Sequence, residues 1–297
     1  MMEFNVSGIV PEKNFFITGM SYIGRPKSNT AMFIAKKVEK LLANLGNARE
    51  CLVFVENGIA VSDSLREHHA FHFSDCPQLA YTRFAERFAA ERFKEEQQIK
   101  YIHTPEGYYL SETAQVGRNA YIEPNCLIGH HVVIGENAKI LTGSVIRNAV
   151  IGDNFLCNEY AVIGSNGFTM TEDEQGNKLR IPTLGRVMIG DNVEIGAHDN
   201  ISCGSGGDTV IENNVKLDAL VLIGHDAYIE NNVEIAAGNI VSGFVRIGAY
   251  TFAGVNAAFR NRITVGDHTF IGMGAAVMRS VKPNVTAVGN PAISVPK

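Results

Sequence analysis

"LDALVLIGHDAYIENNVEIAAGN", residues 217–239, places large aliphatics at Leu217, Ile223, Ile229 and Ile235, every sixth residue, with a lone histidine, His225, two places after one of them. Six is neither the helical period of about 3.6 nor the strand period of 2. The same spacing runs through Val116, Ile122, Ile128, Ile134, Ile140 and Ile146, slips by one residue, and restarts at Ile151, Cys157 and Ile163. It resumes at Ile189, Ile195 and Ile201, breaks at "SCGSGGDTV", and continues from Ile211 through Val277. Gly, Asp and Asn recur beside these positions, as in "IGENAK", "IGDNFL" and "IGDNVE". Such an internal repeat takes precedence over ordinary secondary-structure reading. Very short strands joined by tight turns account for it. The aliphatic points into a prism, and Gly, Asn or Asp accepts the turn or left-handed conformation that follows. Three hexads make one triangular coil of 18 residues, so equivalent positions stack and the ladder becomes a continuous core, each rung worth roughly 2 kcal/mol of burial.

The rest of the composition sets bounds on the chain. With 297 residues and 45% hydrophobic side chains it can fill one large core or two ordinary ones. A net charge of −5 with mixed signs argues against nucleic acid or an anionic membrane as partner. Cys51, Cys76, Cys126, Cys157 and Cys203 are scattered, odd in number and without a C-x-x-C pair, which reads as free thiols in a reducing compartment rather than a disulfide frame or a metal site. No signal peptide is visible, and no run reaches the roughly 18 apolar residues that span a bilayer. The expected location is cytoplasmic.

Residues 1–100 lack the period. "FFITG" (15–19) and "CLVFVE" (51–56) read as strands, and "TAMFIAKKVEKLLANLG" (30–46) as a helix ending at Gly46 with Phe33, Val38 and Leu41 on one face. "CPQLAYTRFAERFAAERFKEE" reads as a second helix with Tyr81, Phe84, Phe88 and Phe93 mainly on one side, packed into a core. The expected organisation is mainly β. A small α/β domain over 1–103 precedes a prism over 104–297, and a loop at 165–187 interrupts the ladder.

Hexads of this kind resemble the left-handed parallel β-helix of the hexapeptide-repeat acyltransferases; the handedness comes from the resemblance, not the period. Such proteins are usually trimers with sites in the clefts between neighbouring prisms. The run from "GSNGF" through "IPTLGRVMIGDNVEIGA", then "DTVIENNVKLD" and "IGHD", resembles one branch, the UDP-3-O-acylglucosamine N-acyltransferases of lipid A synthesis, and the likeness extends back through "CPQLAYTRF". The resemblance implies transfer of an acyl group from a thioester, acyl-CoA or acyl carrier protein, to the amine of a nucleotide-linked amino sugar, with no permanently bound cofactor and no metal. His225 falls at the family's general base, and Asp218 where the family has an orienting carboxylate. By the 18-residue count Gly243 lies one coil above His225 and Gly207 one coil below, and the Gly243 N–H falls where the family has an oxyanion donor. The loop is expected over the cleft, with Asn166 and Phe168 on ligand. His198 lies where the family usually has asparagine and is a further candidate substrate contact.

Departures from the family limit the naming of the substrate. "AMFIAKKVEK" keeps Phe33 of a uracil-binding motif but has Lys36 and Glu39 at its other two places. Arg262 aligns roughly with a second family histidine and suits a phosphate. The ending "VGNPA" resembles coenzyme A-dependent members, which tilts the donor toward acyl-CoA. Two other classes compete: a non-catalytic β-helix for binding or scaffolding, and a carbonic anhydrase-like β-helix with zinc held by histidines. The latter has two histidines five residues apart, a spacing that does not occur in the prism region.

Overall fold

In the computed structural model, which describes residues 3–296, the chain forms two compact units. The second unit holds Gln98–Gly167, Arg186–Gly204 and the chain from Asp208 onward. It is a left-handed parallel β-helix made of strands mostly two residues long. In the coil over 115–128 the first face is Gln115–Val116, the second Tyr121–Ile122 and the third Leu127–Ile128, which pairs with the earlier strand Tyr109–Ser111. Each strand pairs in parallel with its counterpart one coil on, as in Leu127↔Val145 and Ile128↔Ile146. Every aliphatic of the ladder from Ile122 to Val277 is buried in one continuous core, with Val116 packed half-buried at its start.

The coil length varies where the sequence slips. Ile134 pairs with Ile151, which makes that coil one residue short. The two breaks in the ladder are excursions between coils that remain paired, since Ile151 pairs with Ile189 and Ile189 with Ile211. The recurrent asparagines sit at left-handed corners between the first and second faces. Asn119, Asn137, Asn154 and Asn192 have φ between 56° and 59° and link side chain to side chain from coil to coil. A short amide tolerates this conformation at low cost and supplies its own ladder of hydrogen bonds.

The first unit comprises the chain through Gln97 together with Phe168–Gly185 and Ser205–Gly207. Its four-stranded parallel sheet has the order Gly19–Met20, Thr30–Ile34, Leu52–Glu56, Ala70–Ser74. The helix expected over 30–46 is replaced by a strand, Thr30–Ile34, followed by 3₁₀ turns over Lys36–Asn47. The reason is two-sided burial. Ala31 lies in one core with the helix Pro77–Glu96, while Met32 and Ile34 lie in the other with Leu42 and Leu45. A central parallel strand covered on both faces reads as a short apolar run and hides its period of two. Leu42 and Leu45, not Val38 and Leu41, are the buried positions of the 3₁₀ segment. In the helix Pro77–Glu96, Tyr81, Phe84 and Phe88 are buried, but Phe93 is 61% exposed and ends the aromatic stripe. The inserted segment folds with this unit: Ile181 is buried in its core, Gln78 Nε2 donates to the Met170 carbonyl, and Arg83 pairs with Glu174 at 2.6 Å.

Inward and outward positions of one prism strand should differ sharply. Ile140→Ala is expected to cost about 2–5 kcal/mol in chemical denaturation, and Lys139→Ala, on the outward side of the same strand, less than about 0.5 kcal/mol. Equal losses would mean that the ladder is not the core.

Candidate active site

Two features bring His225 to the surface. The strand Leu222–Ile223 ends the third face, and the corner that follows, Gly224–His225–Asp226, turns toward the first face, closed by Ala227 N–H donating to the Gly224 carbonyl at 3.3 Å. Asp226 adopts φ 60°, which swings its side chain back beneath the imidazole. His225 Nδ1 and Asp226 Oδ2 are 2.8 Å apart; the imidazole side chain is 14% exposed and the carboxylate 1%. A carboxylate is an obligate acceptor, so it holds the proton of the neutral ring on Nδ1 and leaves Nε2 with the lone pair.

Glycines flank the ring on both sides because nothing larger fits. A Cβ at Gly243, one coil above, would stand 2.6 Å from His225 Nε2, and one at Gly167 would stand 2.7 Å from the His225 Cβ. No acceptor for the Gly243 N–H occurs among the described residues. Phe244 meets the imidazole edge-on at 5.3 Å, and the Arg262 guanidinium lies over the Phe244 ring at 4.1 Å. The corner therefore offers a proton acceptor, a backbone N–H beside it and a cationic, aromatic rim. That set suits removal of a proton from a nucleophile while an oxyanion forms next to it.

The residues singled out in the sequence fall into three places. His225, Gly243, Arg262 and the exposed Asn166, beside Gly167, belong to the third-to-first corner. Asp218 and His198 lie at the next corner, between the second and third faces, because the strands before them belong to the second face. Asp218 Oδ1 accepts its neighbour's Ala219 N–H, so within one chain the carboxylate bonded to His225 is Asp226. His198 stacks on Tyr160 with ring centroids 5.4 Å apart. Asp218 lines a cavity of about 540 Å³ with Glu159, Glu194, Lys216, Glu234 and Phe252. Phe33 and Phe168 belong to the first unit: Phe33 packs on Tyr81 at 5.2 Å, and Phe168 is 77% exposed under Arg180. Gly207 also lies in the first unit. The pairing of Ile201 with Ile223 breaks the 18-residue count there, and Gly167 is the glycine that closes on His225. Asp226, the residue missed, stood beside His225 in "IGHD".

Beneath the Asp218 corner, Asp199 is fully buried, with its oxygens accepting from Gly196 N–H at 2.8 Å and Val221 N–H at 2.7 Å. Burial pushes its carboxyl from 3.8 up to about 7 against the pull of these bonds, and Asp218 nearby adds to the rise.

Two regions, 113–148 and 208–243, match the family model described as bacterial transferase hexapeptide (six repeats). A UDP-3-O-acylglucosamine N-acyltransferase of Coxiella burnetii is 37% identical over 142 residues, covering 39% of this chain and 42% of the relative. One from Herminiimonas arsenicoxydans is 37% identical over 174 residues, covering 59% and 45%. The chain thus spans less than half the length of these curated relatives. The solved UDP-N-acetylglucosamine acyltransferase of Francisella novicida superposes with a TM-score of 0.58 at 32% identity, over 64% of this chain and 68% of that one.

Asp199 makes a pH prediction. Its folded-state pKa is raised, so between about pH 4 and 7 the folded chain keeps a proton that the unfolded chain has released. Its contribution to stability therefore falls as pH rises through that window. Asp199→Asn, which cannot titrate, should flatten this part of the Tm–pH curve; an unchanged slope would contradict the assignment.

Proposed function

The chain belongs to the hexapeptide-repeat acyltransferase family, and on that premise we propose that it moves an acyl group from a thioester to the amine of a nucleotide-linked amino sugar. The observation that carries this reading is the His225–Asp226 pair set against Gly243. In the reaction the amine nitrogen attacks the thioester carbonyl as His225 Nε2 takes its proton, and the buried Asp226 carboxylate supports the imidazolium that forms. The carbonyl oxygen, now negative, lies toward the Gly243 N–H. Collapse breaks the C–S bond, and the imidazolium returns its proton to the leaving thiolate. A neutral amide and a free thiol result, with no oxidant or metal needed.

Acyl-CoA is the preferred donor over acyl carrier protein, on the likeness of the C-terminal "VGNPA" to coenzyme A-dependent members. The nucleotide is assigned to the first unit around Phe33, and the pathway to lipid A-like or surface-polysaccharide synthesis. A cytoplasmic site is consistent with the free cysteines and with the absence, among the described residues, of a helix long and apolar enough to cross a membrane.

The assembly is proposed to be a homotrimer. The outward positions of the third face run Leu127, Val145, Val162, Asn200, Leu222, Ile240 and Ala258, apolar but for Asn200, whereas the second face mixes Lys139, Glu194, Lys216 and Glu234 with Leu156, Phe252 and Phe270. The first face carries a similar row, Val133, Val150, Met188 and Val210, and largely apolar rows of this kind suit burial against another copy. Three-fold packing would set the Asp218 and His198 corner of one copy beside the His225 corner of the next. Sedimentation showing a fully active monomer would contradict this.

Turnover should be assayed with acetyl-CoA, longer acyl-CoAs and acyl carrier protein thioesters against UDP- and dTDP-linked amino sugars. His225→Ala should leave Tm nearly unchanged and lower turnover by about 10²–10⁴. Asp226→Asn, which permits the wrong tautomer, should cost up to about 10⁴, and His198→Ala should move KM more than kcat. Retention of more than about a tenth of wild-type turnover by His225→Ala, with loss in His198→Ala, would overturn the assignment.

A further inference from the structure

The Asp226 corner is built unlike most corners of the prism. At a left-handed corner the backbone N–H ordinarily donates to a carbonyl on the coil below: Phe244 to His225 at 3.0 Å, Arg262 to Gly243 at 3.2 Å, His198 to Glu159 at 3.0 Å. The chain preceding Thr209, Ser205–Gly207, belongs to the first unit. The Asp226 N–H donates instead to the Thr209 hydroxyl at 2.9 Å. Thr209 is fully buried at the start of the strand Thr209–Ile211, and its own N–H donates to the Arg186 carbonyl at 3.0 Å.

The chain carries a second copy of this device. "LIGH" occurs at 127–130 as well as at 222–225. In the earlier copy His131 occupies the left-handed position, and its N–H donates to the Thr113 hydroxyl at 3.0 Å. The two corners differ in what the imidazole meets: His130 Nδ1 bonds Ser111 Oγ at 2.7 Å, His225 Nδ1 the Asp226 carboxylate at 2.8 Å. A threonine one coil below thus builds the turn in both, and only in the later copy does the turn hold a carboxylate on the ring.

We propose that Thr209 is a positioning residue for the acyl transfer: its hydroxyl holds Asp226 in the left-handed conformation that aims the carboxylate at His225 Nδ1. Without that acceptor, the Asp226 N–H loses this hydrogen bond and the corner relaxes toward a conformation in which the carboxylate no longer fixes the ring. The inference rests on His225 being the base, but the state of the ring can be read without turnover.

The test compares Thr209→Val and Thr209→Ala, which remove the acceptor, with Thr209→Ser, which keeps it, in the full chain. Thr113→Val serves as the control that removes the same bond from the twin corner. Nitrogen-15 spectra of histidine-labelled protein report the tautomer of His225 with no ligand present. Thr209→Val and Thr209→Ala should convert a ring protonated on Nδ1 into a mixture and lower kcat with the acyl-CoA and amino-sugar pair of the assay above by about 10–100-fold. The pH profile of kcat should shift as well. Thr209→Ser should recover to within about threefold, and Thr113→Val should lose similar thermal stability with little change in kcat. An unchanged tautomer and pH profile in Thr209→Val, or an equal loss of kcat in Thr113→Val, would overturn the proposal. Failure of the base reading itself shows separately, as turnover that survives His225→Ala.

Discussion

One inward aliphatic per six residues, stacked on its counterpart in the next coil, is the constraint on which everything else here depends. A two-residue strand has too few hydrogen bonds to stand alone. The strands of this prism persist because each is paired above and below and covers a core that runs unbroken from Ile122 to Val277. Once that ladder is fixed, every corner is fixed within it. The His225 corner shows this: Gly243 reaches His225 because its strand pairs in register, Ile223 on Val241.

The same constraint explains where irregularity is allowed. A parallel coil can shed a loop at a corner without losing register, so the excursions after Ile163 and Ile201 leave the pairs Ile163↔Ile201 and Ile201↔Ile223 intact. Both excursions leave at the third-to-first corner, which carries His225 in the coil that follows, and both deliver chain to the first unit. In that following coil the Asp226 N–H donates to a side chain, the Thr209 hydroxyl.

Much of this was legible in the sequence because a period of six has no competing explanation. The slip at Ile151 was visible as a slip and is realised as a short coil. Counting failed only where the excursions lengthen a coil, which is how Gly207 came to be expected beside His225 in place of Gly167. Thr30–Ile34 read as helix because a strand buried on both faces loses its alternation. Asp226 was overlooked for a different reason. Seven residues carry Asp218 onto another corner of the prism, whereas the adjacent residue bends back under the ring only when it takes a left-handed conformation, which residue type alone does not announce.

The central claim is that the His225 corner is where thioester and amine meet. A crystal structure of the protein with a non-hydrolysable acyl-CoA analogue and the amino-sugar acceptor tests it most directly. The account predicts the acceptor nitrogen within about 3 Å of His225 Nε2 and the acyl oxygen within about 3 Å of the Gly243 nitrogen. An analogue whose carbonyl lies in the Asp218 cavity, out of reach of any copy's His225, would contradict it.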